Sequence, residues 1–425
     1  MKKRIWTAVG LLLLLTACGG PANEDTPALE PTPEAAVTPA PELPPEASAA
    51  PEPTPGPTAD PVAEQVAAMT EEELAGQLLV AGLEGTAPGD DARAVIEELH
   101  VGGVILFSKN VESASQLAAF TNSLKELNRA AGNEPLFLCV DEEGGSVSRM
   151  PPEVTDLPAA FDGPYGGIRG EILAAECKAF GFNLDFAPVL DVWSNPDNTV
   201  IGKRAFHTDF LEVTIAGTGC AYAMMDAGVI PAVKHFPGHG DTAADSHESL
   251  PVVDKTRQEL EDAELMPFRF AVEGGNWKAQ KHDPVPAVMV GHILLKQIDP
   301  QLPASLSPQV VDGLLRRELG FDGVVFTDDL TMGAVSQNYD ISEAVVLSLQ
   351  AGCDMALVCH EEENARAAHA AILAALKEGT LTRERLEESA YRILSLKAAY
   401  GVDDASVEEP DVEELNRLIA TALAS

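Results

Sequence analysis

The sequence predicts an α/β protein: one (β/α)8 barrel of the TIM type, preceded by a disordered Pro-rich stalk. Three observations carry that expectation. Eight short apolar runs punctuate residues 62–401, at Leu78–Gly82, Val101–Phe107, Leu136–Asp141, Asn183–Val192, Val229–Phe236, Ala287–His292, Gly323–Asp328 and Asp354–Val358. Near-continuous apolar runs are the mark of strands buried on both faces, as in parallel sheets. Between them lie segments with helical spacing, and strand–helix alternation repeated eight times closes into a barrel. The length of this region also suits one such barrel. A doubly wound sheet is the alternative, but no Gly-rich phosphate loop follows the first run.

The elements follow in order. Lys2, Lys3 and Arg4 precede a short apolar run, Ile5 to Leu15, that is too short to span a bilayer comfortably and reads as a signal peptide. It closes with Leu15-Thr16-Ala17-Cys18-Gly19, which resembles the bacterial lipobox. That resemblance implies cleavage before Cys18, acylation of its thiol, and a lipid anchor on the outer face of the cytoplasmic membrane. From residue 19 to 61 the chain is Pro, Ala, Glu and Thr with almost nothing to bury. Such a segment cannot offset its ordering entropy and is expected to act as a semi-rigid stalk.

Within the barrel, Ser113–Asn128, Leu211–Asp226 and Pro308–Leu319 carry apolar residues at helical spacing. Arg383–Tyr400 reads as the closing helix, with Thr382 as N-cap and Gly401 as C-cap. Residues 402–425 form an acidic extension that ends in a short helical pattern, Leu415, Leu418, Ile419 and Leu423. The formal net charge of −39 argues against nucleic acid as a partner, because nothing basic is clustered enough to neutralise phosphates. Cys139, Cys177, Cys220, Cys353 and Cys359 lack CxxC spacing and read as small core residues.

Barrel enzymes gather their chemistry at the C-terminal ends of the strands. Polar residues do gather at the ends of the apolar runs here: Asp141-Glu142-Glu143, Asp191, Lys234-His235, His292 and Thr327-Asp328-Asp329. The densest segment is KHFPGHGDTAADSH, residues 234–247. Read from residue types alone, His235, His239, Asp241, Asp245 and His247 would suit a metal. Against that, Pro237, Gly238 and Gly240 bend the loop, and no HxH or HExxH pair presents imidazoles from one rigid element. The other reading is a Gly-rich loop carrying an acid/base histidine, His247, with Asp245 fixing its tautomer.

The segment is similar to the signature of the N-acetylglucosaminidase branch of glycoside hydrolase family 3. Val140-Asp141-Glu142-Glu143-Gly144-Gly145, Gly202-Lys203-Arg204-Ala205-Phe206, Phe326-Thr327-Asp328-Asp329-Leu330-Thr331-Met332 and Ala351-Gly352-Cys353-Asp354-Met355 match it too, in order and spacing. The resemblance covers nearly all of 63–401. It implies a retaining exo-β-N-acetylglucosaminidase that needs no metal or organic cofactor. Asp328 would be the nucleophile, His247 with Asp245 the general acid/base, and Asp141, Arg149, Arg204, Lys234 and His235 the residues that bind the terminal sugar. Peptidoglycan fragments or related amino-sugar glycans would be the substrates. A β-glucosidase of the same superfamily, or a lipid-anchored sugar-binding protein without activity, are the alternatives.

Two departures stand out. Ser146 occupies a position where the family usually has arginine, and a support contact to its loop is expected to be missing. The insertion 274–286 before the sixth run is long and polar, and is expected to reshape the pocket mouth. Asp329, pointing away from its neighbour on the strand, is expected to make structural hydrogen bonds. His239 is expected to order its loop, Glu142 and Glu143 to support Asp141, and His292 to line the pocket or not with equal weight. The few aromatic residues form no obvious row, which favours an exo-acting pocket over an open cleft.

Overall fold

A computed structural model of the chain describes residues 60–242, 250–277 and 280–424. The expected signal peptide, Cys18 and the stalk as far as residue 59 lie outside the described residues. The last residue expected in the stalk, Pro61, instead opens a helix, Pro61–Ala68, capped by Asp60, because proline suits the first helical position.

Eight parallel strands form a closed barrel. They are β1 (Leu79–Gly82), β2 (Gly103–Leu106), β3 (Phe137–Val140), β4 (Leu184–Asp185), β5 (Ile230–Phe236), β6 (Ala287–Val290), β7 (Val324–Asp329) and β8 (Met355–Val358). Seven of the eight apolar runs contain one of them entirely, and β7 runs one residue past its run, to Asp329. Sequential neighbours pair around the ring, and β1 closes it, with Val80 opposite Gly103 of β2 and Leu357 of β8. Phe137 on β3 and Phe326 on β7 meet at a centroid distance of 6.4 Å, and Phe186 meets Phe326 at 5.3 Å. Residues on opposite strands can touch only through the barrel interior, so these rings fill it.

The helices follow their local signals. Ser113 caps Ala114–Ala131 by accepting from the Gln116 amide, and Gly132 ends that helix in the left-handed region at φ 79°. Asp209 caps Phe210–Asp226. The expected Pro308–Leu319 helix runs from Gln309 to Glu318, but with a wider turn: the Gly313 and Leu319 amides reach back five residues. The closing helix Arg383–Ala399 starts at Thr382 as expected. Its cap is Tyr400, one residue before the expected Gly401, which follows in the left-handed region at φ 60°. Lys397 on this helix points its ammonium at the Phe137 ring, 4.9 Å from the centroid, and donates to Gln77 Oε1 at 2.9 Å.

The acidic extension is bound to the barrel side. Asp404 accepts from Asn128 at 2.8 Å, Lys125 donates to the Ala405 carbonyl at 3.1 Å, and Asn122 accepts from the Val407 amide at 2.8 Å. Its final helix, Val412–Ala424, buries Leu415 and Ile419, the inward positions of the helical pattern.

The described residues of the insertion, 274–277 and 280–286, lie away from the pocket mouth that they were expected to reshape. They enter β6 from its N-terminal end and form a small antiparallel hairpin, Gly275–Trp277 with Gln280–His282. His282 stacks on Tyr222 at 4.6 Å and lies 3.1 Å from Asp226, both near the C-terminal end of the helix before β5. A segment that leads into a strand from below sits at the end of the barrel opposite the strand C-termini, which is the physical reason for the correction.

Candidate active site

The end of β3 sends three consecutive acids to three places. Asp141 accepts from Lys234 Nζ at 2.6 Å. Glu142 is buried beneath the following turn, where it accepts from the Gly144 amide (3.1 Å), Ser148 Oγ (2.9 Å) and the Arg149 amide (2.6 Å). Burial pushes its carboxyl up to about 7, against the pull of those donors. The turn requires glycine: Gly144 and Gly145 sit at φ 77° and 61°, and a Cβ on Gly145 would lie 2.7 Å from Ala159. Ser146 is exposed at its tip.

Glu143 joins two cations, the buried Lys234 and the partly buried Arg204. Arg204 grips it with two hydrogen bonds of 2.8 Å, and Lys234 Nζ approaches at 2.8 Å. Burial would raise the Glu143 carboxyl, but the Arg204 and Lys234 charges outweigh it and hold the group far below the usual range. Burial likewise works against charge on Lys234, and Asp141 and Glu143 overcome it, so the ammonium is held. From behind, the buried Arg169 donates to the Glu143 carbonyl at 2.6 Å and to the Pro158 carbonyl at 2.5 Å.

Strand β5 delivers Lys234 and His235 to the same cavity although they are neighbours in sequence. Regular pleating would send them to opposite faces. The register with β6 shifts between Val233 and Phe236, and such irregularities re-aim side chains near active sites. The Lys234–His235 and Phe236–Pro237 peptide bonds are cis. His235 Nδ1 lies 2.7 Å from Asp191 Oδ2, which leaves Nε2 toward Arg204 at 3.4 Å. Burial would raise the Asp191 carboxyl, but His235 and the His239 amide, which donates at 2.6 Å, keep it low.

Strand β7 brings Asp328 to the opposite part of the wall. Burial would raise its carboxyl, yet the fields of His292, His235 and Lys234 and the Asp329 amide at 2.8 Å hold it below the ordinary carboxylate range. Asp328 is therefore ionised at neutral pH. Asp329 also borders the cavity, because the register with β8 shifts between Phe326 and Asp329. Its carboxylate is nevertheless committed to structure, accepting from Thr331 Oγ1 at 2.5 Å and from the Thr331 and Cys359 amides. His292 is fully buried behind this strand end, bonded to Ser305 Oγ at 2.7 Å and the Asp329 carbonyl at 2.9 Å, and is not part of the cavity wall.

The loop after β5 is fixed as far as Thr242. Asn198 donates to the His239 carbonyl at 2.8 Å, and a Cβ on Gly240 would fall 1.7 Å from the Val192 carbonyl oxygen. His239 Nδ1 lies 2.7 Å from Thr242 Oγ1, consistent with ordering the loop, although the side chain also borders the cavity. Burial first, and then the His235 charge, depress the His239 imidazole to about 4, so it is neutral at pH 7. Asp241 pairs with Lys255 at 3.3 Å. Asp245 and His247 lie outside the described residues.

Asp141, Arg149, Arg204, Lys234, His235 and Asp328 thus line one cavity of about 300 Å³. Sequence reading missed several members of its wall, among them Phe107, Val200, Ile201, Met289, Met332 and His360. It also gave Arg169 and Asp191 no role. Asp191 carried a signal, an acid at a strand end; Arg169 lies in the first turn of the helix Gly167–Ala179 and carried none.

Residues 69–396 match the Glycosyl hydrolase family 3 N terminal domain. A Beta-hexosaminidase of Alkalilimnicola ehrlichii is 39% identical over 297 residues, which are 67% of this chain and 81% of that protein. Beta-hexosaminidase LpqI of Mycobacterium tuberculosis is 36% identical over 344 residues, 78% of this chain and 84% of that one. Among solved structures, a glycoside hydrolase family 3 beta-N-acetylglucosaminidase from Paenibacillus sp. superposes with a TM-score of 0.77 at 40% identity, covering 84% of this chain and 68% of that chain. With its closed barrel and the matched strand-end residues in one cavity, the chain belongs to glycosyl hydrolase family 3.

Proposed function

We propose that the protein is a retaining, exo-acting β-N-acetylglucosaminidase that removes terminal β-linked GlcNAc from peptidoglycan-derived or related amino-sugar glycans. The observation that carries the proposal is the ionised Asp328 carboxylate in a cavity it shares with the Asp141–Lys234–Glu143–Arg204 network. Such a network offers hydroxyl groups both donors and acceptors, in a cavity at the small end of the range for ligand pockets. One terminal ring suits that volume, and the beta-hexosaminidase names of the relatives support GlcNAc as the ring.

The reaction follows a two-step scheme. Asp328 attacks C1 with a carboxylate oxygen as the C1–O bond breaks, and the departing oxygen takes a proton from His247. Water then attacks C1, giving its proton to His247, and the bond to Asp328 breaks with retention of configuration. The acid/base role of His247, and that of Asp245 in orienting it, rest on the sequence motif. A histidine acid becomes neutral when it gives up its proton, which places no second anion beside the nucleophile. The lipobox-like Cys18 supports anchoring to the outer face of the cytoplasmic membrane. Replacement by serine should then release the protein from the membrane fraction.

The test is the rate on aryl β-GlcNAc and aryl β-glucoside substrates, with and without Asp328→Asn. Fast, GlcNAc-selective turnover that Asp328→Asn abolishes is expected. Preference for the glucoside would turn the assignment to a β-glucosidase, and equal rates in the two proteins would remove Asp328 from the mechanism.

A further inference from the structure

We propose that Phe107 and His360 form a subsite at the pocket mouth that stacks against the second sugar ring, the leaving group of the reaction. The inference rests on the glycosidase reading above and names a part of the site that the sequence motifs do not assign.

The two residues come from strand ends that are not neighbours. Phe107 follows β2 and His360 follows β8, with β1 between them. They meet because β1 ends in Gly82, where a Cβ would lie 2.0 Å from the Cys359 carbonyl oxygen. Without that side chain, the backbone after β8 folds across the end of β1. The rings then stack at a centroid distance of 5.6 Å and an interplanar angle of 22°. Both border the cavity.

The pair is held in place. The Phe107 amide donates to Asn110 Oδ1 at 2.8 Å, and the buried Asn110 amide donates in turn to the Leu83 and Gly85 carbonyls. The Arg149 guanidinium lies 6.0 Å from the Phe107 centroid, and His360 Nε2 lies 3.7 Å from Asp329 Oδ2. A fixed aromatic surface loses little freedom when a ligand settles on it.

Depth separates this pair from the polar floor. The Lys234 and Glu143 side chains are 2% and 4% exposed, whereas that of His360 is 54% exposed. The hydroxyl-rich terminal ring belongs with the buried charges beside Asp328. In an exo-acting pocket the part of the substrate that remains at the mouth is the leaving group. The apolar C–H face of a pyranose fits an aromatic surface, so the class of leaving group favoured is a second pyranose, not an alkyl chain.

The test compares GlcNAc with the β-linked GlcNAc disaccharide by calorimetry in the full chain carrying Asp328→Asn, which holds the disaccharide without cleaving it. The second ring should tighten binding, and His360→Ala or Phe107→Leu should each remove roughly 3- to 10-fold of that gain while monosaccharide binding stays put. His360→Phe should keep the gain, because it keeps the ring. Equal loss of mono- and disaccharide binding, no loss for either variant, or a His360→Phe protein as weak as His360→Ala would each overturn the stacking subsite alone. Failure of both sugars to bind would overturn the GlcNAc reading, and the subsite with it.

Discussion

Glu143→Gln probes the buried network that ties the cavity floor together. The native carboxylate accepts two hydrogen bonds from Arg204 and one from Lys234, all at 2.8 Å, with its side chain 4% exposed. Glutamine keeps one acceptor oxygen and turns an NH2 group toward a guanidinium, so one or two of the three bonds are lost. Hydrogen bonds to charged groups contribute about 1.5–3 kcal/mol each, and breaking a buried pair costs about 3–5 kcal/mol. One or two lost bonds thus amount to about 1.5–6 kcal/mol, a range that contains the cost of a broken buried pair, so a loss of about 3–5 kcal/mol is expected. Urea denaturation of the full chain at pH 7 is the assay. The pH dependence gives a second readout, because the folded carboxyl sits well below its unfolded value of about 4.3. Its contribution is complete above that value and is lost as pH falls toward the folded one. The parent should therefore lose stability below about pH 4.3 more steeply than the variant. A variant within 1 kcal/mol of the parent, roughly the scale of an ordinary substitution, or one with the parent's acid dependence, would refute the network argument.

Other expectations follow from the same geometry. Asp328→Asn should lower kcat by about 10⁴-fold or more while the urea midpoint stays near the parent's, as for loss of other catalytic nucleophiles; a loss below tenfold would contradict the role. Because the Asp328 carboxyl is held low, the acid limb of kcat/KM that it sets should lie below about pH 4, checked by a pH–rate profile. Gly240→Ala would place a Cβ 1.7 Å from the Val192 carbonyl oxygen, so the loop must shift and activity should fall at least tenfold at 25 °C, read in the chromogenic assay. Burial depresses the Lys397 ammonium to about 7, so the unfolded chain binds one more proton between about pH 7 and 10. Parent stability should gain from this group as pH rises through that window, and Lys397→Met should flatten the slope measured by denaturation.

Much of the fold was legible in the sequence because a parallel barrel writes its strands as continuous apolar runs, and each of the eight runs marks a strand. The cavity floor was legible for a related reason: its polar residues stand at the C-terminal ends of those runs, as Asp141, Lys234, His235 and Asp328 do. Residues that reach the site from loops or through neighbours left no such trace. Arg169 supports Glu143 from the first turn of a helix, and Phe107 meets His360 across a strand that ends in glycine. The position of the 274–286 hairpin was misjudged because polarity says that a segment is exposed but not at which end of the barrel it lies. The adjacent pairs at 234–235 and 328–329 share the cavity through register shifts, which a strict alternation of side chains does not foresee.

The role of Asp328 is open to direct chemical observation. A slow substrate, 5-fluoro-β-GlcNAc fluoride, would form the ester and release fluoride, and peptide mass spectrometry would locate the retained sugar. Label on the peptide carrying Asp328, and none in Asp328→Asn, is the expected result. Label on another carboxylate, such as Asp141 or Asp329, or steady turnover by Asp328→Asn at the parent's rate, would contradict it.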